Sequence, residues 1–130
     1  MSVKILALFA IGIIALLAAV FYFFSPANGP GQYDDFAKCL TEKGAKFYGA
    51  FWCPHCADQK ALFGNSMKYV TYVECSPPSR NGQYPVCTDA GVKSYPTWIF
   101  ADGAKETRVL SLQELSEKTS CSLTPVNSTG

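Results

Sequence analysis

The sequence has little histidine and little net charge, and each shortage argues against a class of function. Among 130 residues there is one histidine, His55, and there is neither a second Cys-x-x-Cys pair nor a His-x-x-x-His spacing. A structural zinc ion needs four ligands, so we predict no metal site. The formal net charge is +1, and basic residues are not interleaved with aromatic ones. The composition therefore argues against a nucleic-acid partner.

What the sequence does contain is a Cys-x-x-Cys motif at a predicted strand-to-helix junction. Residues 46–51 predict a buried strand, and residues 56–63 predict the helix that follows it. At a helix start, the unpaired N–H groups and the positive end of the helix dipole stabilise a thiolate. Cys53 lies there and is the predicted nucleophile. Cys56 is the predicted resolving cysteine, because an i, i+3 pair can close a small disulfide ring.

The two residues between the cysteines also favour chemistry at this junction. Pro54 has a φ angle suited to the first helical position and lacks the N–H that would be unpaired there. His55 favours the ionised form of the neighbouring sulfur. The alternatives are that His55 is an ordinary surface residue and that Cys53 and Cys56 form a purely structural disulfide, although so short a loop restricts the unfolded chain little. We predict no bound cofactor.

Residues 5–24 form a long apolar segment near the N-terminus. About 20 residues at 1.5 Å rise would span the roughly 30 Å hydrocarbon core of a bilayer. We therefore predict a transmembrane signal anchor. The competing interpretation is a cleaved secretion signal, whose apolar core is usually about 7–15 residues long. The sequence Ser25-Pro26-Ala27 is also a poor cleavage site.

The charges flanking the apolar segment predict its orientation. Lys4 lies on the N-terminal side, whereas Asp34 and Asp35 come first on the other side. We expect the N-terminus in the cytoplasm and the folded part on the extracytoplasmic side, in a periplasm, a lumen or the cell exterior. The predicted organisation is a transmembrane anchor over 1–24, a flexible tether over 25–32, a folded domain over 33–121 and a disordered tail over 122–130.

Periodicity and turn residues predict the elements of the folded domain. Asp102-Gly103 indicates a hairpin turn, and Ser111 with Glu114 fits a capping box. The predicted elements are a helix over 33–43 that ends before Gly44, a strand ending at residue 51, the Cys-x-x-Cys helix ending at residue 63, a break at 64–66, a strand over 69–73, a loop over 75–87, a helical turn within 88–92, a hairpin of strands 97–100 and 106–110, and a helix over 112–119.

Two short segments, set in this order of elements, carry a resemblance to a known fold. They are Trp52-Cys53-Pro54-His55-Cys56 and Tyr95-Pro96-Thr97. The pattern resembles the thioredoxin fold without its first strand, so the predicted fold class is α/β and thioredoxin-like, preceded by a single N-terminal transmembrane helix. The resemblance implies that Pro96 follows a cis peptide bond and packs against the cysteines. It also implies that Trp52, Tyr95 and Pro96 bind substrate, with the backbone of Tyr95 hydrogen-bonding an extended chain.

Longer segments narrow the resemblance to a subgroup. Residues 46–56, 72–75 and 94–98 are similar to the thioredoxin-like domain that accompanies vitamin K epoxide reductase homologues, and the likeness covers about residues 36–119. It implies reduced client proteins as substrates and a quinone-linked membrane protein of the vitamin K epoxide reductase type as partner. The four-helix membrane domain of that partner is absent from this sequence, so the partner would be a separate chain.

The six cysteines, together with a location outside the cytoplasm, indicate an oxidising compartment. Once the Cys-x-x-Cys pair is set aside, the four others allow three pairings. The resemblance and the local loop favour Cys75 with Cys87, a ring of about 13 residues that would stabilise the fold by roughly 3 kcal/mol. Cys39 and Cys121 are then left as the second pair. The alternative for either pair is free buried thiols.

One position departs from thioredoxin, in which a buried carboxylate stands six positions before the first catalytic cysteine. Here that position is Phe47. A reductase uses the carboxylate to help move the proton of the resolving thiol, so its absence, with Pro54 and His55 between the cysteines, favours an oxidising protein. We therefore predict a membrane-anchored thiol–disulfide oxidoreductase that oxidises client proteins. The alternatives are a reductase or isomerase, and a non-catalytic module that binds extended peptides around Trp52 and Tyr95.

Overall fold

The computed structural model describes residues 2–25 and 29–125, and it confirms the predicted α/β architecture. A short 3₁₀ helix, Gly64–Tyr69, follows the third α-helix. The elements in chain order are α1 (Val3–Phe23), α2 (Asp34–Glu42), β1 (Lys46–Gly49), α3 (Pro54–Phe63), β2 (Tyr72–Glu74), α4 (Pro85–Asp89), β3 (Thr97–Ile99), β4 (Lys105–Glu106) and α5 (Leu112–Thr119).

Within the described residues, four strands form one mixed sheet in the order β2-β1-β3-β4. Strand β1 pairs in parallel with β2 and antiparallel with β3, and β4 pairs antiparallel with β3. A parallel pair needs a crossover connection, which α3 supplies between β1 and β2. Strand β1 lies between β2 and β3, and the chain passes from its C-terminal end to the two cysteines at the start of α3.

An aromatic cluster joins α3 to the sheet. The rings of Phe47 and Trp98 stack with centroids 5.2 Å apart, and Phe63 lies 6.3 Å from Trp98. Gln59 is fully buried among them and accepts hydrogen bonds from Trp98 Nε1 at 3.0 Å and from the Leu110 N–H at 2.8 Å. Its amide also donates to the Leu110 carbonyl at 2.9 Å. This one side chain thus fixes the helix that carries the cysteines against β3 and the segment before α5.

Two disulfides close the domain. The structure joins Cys75 to Cys87, with Cα atoms 5.7 Å apart, and Cys39 to Cys121, with Cα atoms 5.9 Å apart. The first is the pairing that the resemblance and the local loop favoured, and the second is the pair that was then left. The first ties the end of β2 to α4, and the second ties α2 to the residue after the Ser120 cap of α5, across 82 residues of sequence.

The second strand begins later than the predicted residue 69, because the chain first forms the 3₁₀ helix. The buried Ser66 hydroxyl holds that helix by donating to Asp34 Oδ1 at 2.8 Å and accepting from the Tyr33 N–H at 2.9 Å. Thr41 Oγ1 then accepts from the Thr71 N–H at 3.1 Å. The prediction of a strand over 69–73 was wrong at its start, since these contacts join residues far apart in sequence.

The predicted hairpin is present but short. Gly103 has a φ of +82° in its turn, and Asp102 Oδ1 accepts from the Ala104 N–H at 2.9 Å. The second strand, predicted over 106–110, has only the two residues of β4, because the backbone of Leu110 bonds to Gln59 instead of to a strand. The helical turn also begins earlier than predicted, at Pro85 rather than within 88–92.

The N-terminal helix α1 is 21 residues long. A stretch of 18 residues within it has a mean hydropathy of 2.8, and 0% of that stretch is buried. It is long and apolar enough to cross a membrane, as an anchor or a signal sequence does. Part of the predicted tether packs onto the domain, since the Gly31 N–H donates to the Asp34 carboxylate at 3.1 Å and Lys68 Nζ donates to the Gly29 carbonyl at 3.0 Å. Residues 26–28 of the tether and 126–130 of the tail lie outside the described residues.

Candidate active site

Cys53 is the N-cap of α3. The chain leaves β1 at Gly49, and the Cys53 backbone is extended, with φ −81° and ψ 118°. Its Sγ accepts a hydrogen bond from the Cys56 N–H at 3.3 Å, and Pro54 occupies the first turn, where its missing N–H leaves nothing unpaired. A sulfur in this position lies at the positive end of the helix dipole.

The two cysteines are free thiols in different surroundings. Cys53 is 6% exposed, whereas Cys56, in the first turn, is 1% exposed. Burial raises the pKa of the Cys56 thiol to about 12, and its hydrogen bond with Cys53 acts in the same direction. Cys56 therefore keeps its proton at neutral pH. The assignment of Cys53 as the attacking and Cys56 as the resolving cysteine stays a prediction.

His55 lies at the protein surface. Its side chain is 74% exposed, and Nδ1 lies 3.7 Å from Asp58 Oδ2. The neighbour of the imidazole is therefore an exposed carboxylate. The two groups form an ion pair only when the imidazole is protonated. An effect of His55 on the Cys53 thiolate remains a prediction.

The predicted substrate-binding residues lie together beside Cys53. The Tyr95–Pro96 peptide bond is cis, and the Tyr95 carbonyl oxygen lies 3.8 Å from Cys53 Sγ. The rings of Trp52 and Tyr95 meet edge to face with centroids 6.1 Å apart. Trp52 is 42% exposed, and its Nε1 donates to Ser76 Oγ at 2.7 Å. Cys53 thus has an aromatic wall on one side and donates to a backbone carbonyl there, next to the surface that an extended chain would need.

Sequence analysis did not identify two groups near this wall. Phe51, next to Trp52, is 52% exposed, and the Arg80 guanidinium lies 5.6 Å from its ring centroid. Gln83, in the loop closed by Cys75 and Cys87, accepts from the Tyr95 hydroxyl at 2.7 Å. The aromatic and amide residues within that loop could have suggested a binding role in the sequence, but the contact of Gln83 with Tyr95 depends on the tertiary fold.

A third group missed by sequence analysis lies on β2, below the cysteines. Glu74 Oε1 accepts from the backbone N–H groups of Phe51 at 3.1 Å and Ser76 at 3.0 Å, and Oε2 accepts from the Tyr72 hydroxyl at 2.7 Å. Burial raises the pKa of Tyr72, and its hydrogen bond with Glu74 adds to the effect. The sequence signal that could have pointed to this group was Gly49, because a glycine inside a strand often marks a position where another group approaches the backbone closely.

Gly49 leaves space that Tyr72 and Cys56 share. A Cβ atom at this position would lie 2.9 Å from Tyr72 Cε2, 3.0 Å from Cys56 Sγ and 3.2 Å from Tyr72 Oη. Real side chains do not tolerate such contacts, so only glycine fits here without displacing a neighbour. The tyrosine hydroxyl and the buried sulfur consequently border the same small volume.

Comparisons with known proteins agree with a redox site. No family model matches the sequence. Over 97 residues the chain is 42% identical to the thiol-disulfide oxidoreductase LTO1 of Arabidopsis thaliana. The matched region covers 72% of this chain and 26% of the relative, so the chain spans about a quarter of the length of that protein. The similarity supports a thioredoxin-like redox protein.

Proposed function

We propose that this protein is a membrane-anchored thiol–disulfide oxidoreductase that oxidises the thiols of client proteins on the extracytoplasmic side. The observation that carries the proposal is the asymmetric pair of free cysteines at the start of α3, with Cys53 capping the helix and Cys56 buried beneath it. The similarity to a protein named as a thiol-disulfide oxidoreductase supports the same chemistry. The other four cysteines form disulfides, as is typical of an oxidising compartment.

The exchange proceeds in two displacements. A client thiolate attacks Cys53 Sγ of the Cys53–Cys56 disulfide, which forms a mixed disulfide and releases the electron pair to Cys56, where it takes up a proton. A second client thiolate then attacks the client sulfur of the mixed disulfide and releases the Cys53 thiolate. The client loses two electrons as its disulfide forms, and the Cys53–Cys56 pair gains them. In the reverse direction Cys56 resolves a mixed disulfide held at Cys53.

A partner must reoxidise the pair after each cycle. We assign this role to a quinone-linked membrane protein of the vitamin K epoxide reductase type. Support comes from α1, which as a membrane anchor would hold the domain close to such a partner. The aromatic wall of Trp52 and Tyr95 beside Cys53 would receive the extended segment of either a client or the partner.

The reverse flow, as a reductase or isomerase, is the second candidate. Phe47 is fully buried and stacks on Trp98, so the acid of a reductase is missing from that position. The reduction potential separates the two directions, because a value near or below roughly −270 mV would favour a reductase. It is measured by equilibrating the detergent-solubilised full chain with glutathione buffers and trapping the thiols.

Turnover separates an oxidase from a module that only binds peptides. The oxidised full chain is mixed with a reduced client protein containing two cysteines, and client disulfides are counted after alkylation. We expect stoichiometric oxidation by the wild type and none by Cys53→Ala. When Cys56→Ser is instead mixed with a client that already holds a disulfide, the Cys53 thiolate should attack it, release one client thiolate and accumulate as a mixed disulfide, because the resolving thiol is missing. Gln113→Leu, a change on the exposed face of α5, is the matched control. Client oxidation by Cys53→Ala at the wild-type rate would refute the proposal.

A further inference from the structure

The disulfide exchange requires a group that accepts the proton of the buried Cys56 thiol. When the oxidising partner forms a mixed disulfide with Cys53, Cys56 must lose its proton before it can attack. Burial holds the pKa of this thiol near 12, so only a minute fraction is thiolate at neutral pH. Phe47 supplies no base, since it is a buried hydrocarbon ring.

Two side chains of β2, Tyr72 and Glu74, can accept the proton of Cys56. Tyr72 Oη and Cys56 Sγ border the same volume beside Gly49, each within 3.2 Å of the position that a Cβ would take. The hydroxyl donates to Glu74 Oε2 at 2.7 Å. Glu74 is half-buried, and the backbone N–H groups of Phe51 and Ser76 hold its other oxygen, so its orientation is fixed.

We propose that Tyr72 and Glu74 form a proton relay for Cys56, an inference that rests on the disulfide-exchange function proposed above. The Cys56 S–H gives its proton to Tyr72 Oη while the Tyr72 hydroxyl proton passes to Glu74 Oε2. The Cys56 electron pair attacks Cys53 Sγ, the mixed disulfide breaks, and the partner sulfur leaves as a thiolate. Glu74, now a carboxylic acid, releases the proton to solvent. On reduction of the disulfide the same path returns a proton to Cys56.

The tyrosine suits the middle of this path. Burial raises the pKa of Tyr72, so the hydroxyl stays neutral and passes a proton through without becoming a phenolate. Lys60 lies with Nζ 3.8 Å from the Tyr72 ring centroid, and its charge favours the Cys56 thiolate as it forms.

Five titratable groups act on this site from the elements packed around it. Helix α3 contributes Cys53 and Lys60, and β2 contributes Tyr72 and Glu74. The loop before β3 contributes Tyr95, whose pKa is raised by burial. Tyr95 instead donates its hydroxyl to Gln83, so it is engaged outside the path.

A single-turnover reaction with an aromatic disulfide, dithiobis(nitrobenzoate), isolates the step. The reduced full chain in detergent releases one coloured thiolate when Cys53 attacks the reagent and a second when Cys56 closes the disulfide. Tyr72→Phe, Glu74→Gln and the double variant are compared with the wild type by stopped flow between pH 6 and 9 in dilute buffer. Tyr48→Phe is the matched control, because Tyr48 is a buried tyrosine on β1 that packs with Cys75 and Cys87.

We expect the first release to be unchanged in every variant and the second to slow about 10-fold or more at neutral pH in both single variants. The double variant should be no slower than the slower single one, because the two residues serve one path. The wild-type second phase should be nearly independent of pH across this range, whereas the variants should speed up about tenfold per pH unit as hydroxide replaces the relay.

The outcomes separate the relay from the function on which it rests. If the wild type releases no second thiolate, Cys56 does not close the disulfide, and both proposals fall. If the wild type releases two and Tyr72→Phe follows its rate and pH profile, the relay alone is overturned. Equal slowing of both phases, together with a lowered unfolding midpoint, would also overturn it, because the effect would then be structural.

Discussion

Replacing Gln59 by leucine should destabilise the domain strongly although the two side chains have similar volume. Gln59 satisfies three buried groups: the Trp98 indole N–H, the Leu110 N–H and the Leu110 carbonyl. A buried polar group left without a partner costs about 1–3 kcal/mol, so the variant should lose roughly 3–6 kcal/mol after partial relaxation. Because small domains have about 5–15 kcal/mol of stability, the loss would consume a large part of it.

The measurement is urea unfolding of the detergent-solubilised chain, followed by tryptophan fluorescence, since Trp98 loses its partner directly. Gln113→Leu provides the control, because the same substitution on an exposed helix face should change the free energy of unfolding by less than about 0.5 kcal/mol. A Gln59→Leu variant within 1 kcal/mol of the wild type would refute the reasoning, and it would mean that the Leu110 segment finds other hydrogen-bond partners.

Three further predictions concern the Cys39–Cys121 disulfide, the buried Cys56 thiol and Gly49. Removing the Cys39–Cys121 link by serine substitution at both positions should lower the free energy of unfolding by about 4–5 kcal/mol, given the 82 residues it spans; an unchanged urea midpoint would contradict this. The folded pKa of Cys56, about 12, exceeds its reference value of 9.0, so stability linked to its proton is complete below pH 9 and lost as pH rises toward 12. Alkaline unfolding should therefore start at lower pH in the reduced than in the oxidised protein, and coincident curves would argue against it. Gly49→Ala should cost about 1–3 kcal/mol by crowding Tyr72 and Cys56, and should slow disulfide closure more than Ala50→Gly does.

Elements with local signals could be predicted from the sequence. The capping box of Ser111 and Glu114 forms as expected, and α5 has the predicted bounds of 112–119. Pro54 and the cysteine spacing likewise located α3, which ends at Phe63 as predicted. These signals act within one helical turn, so the residues that make them are close together in any chain that forms the helix.

Features that depend on distant residues could not be predicted. The late start of β2 follows from the Ser66–Asp34 hydrogen bond, which joins residues 32 positions apart. Gln59 looks like an exposed helix residue in the sequence, and its burial depends on Trp98 and Leu110. The same holds for Glu74 at the candidate site, because its carboxylate meets Phe51 only once the sheet has formed. Periodicity carries no information on such pairings.

The disulfide between Cys39 and Cys121 makes the folded domain a covalently closed ring, within which the link from Cys75 to Cys87 closes a smaller one. Arg80 is exposed inside both rings, so a trypsin-like protease has an accessible cleavage point there. A cut after it would leave both pieces joined through sulfur and still attached to α1. Such a nicked chain would run as one species on a gel until it is reduced. Wherever proteases reach the domain, it would therefore stay with its N-terminal helix for as long as the surroundings remain oxidising.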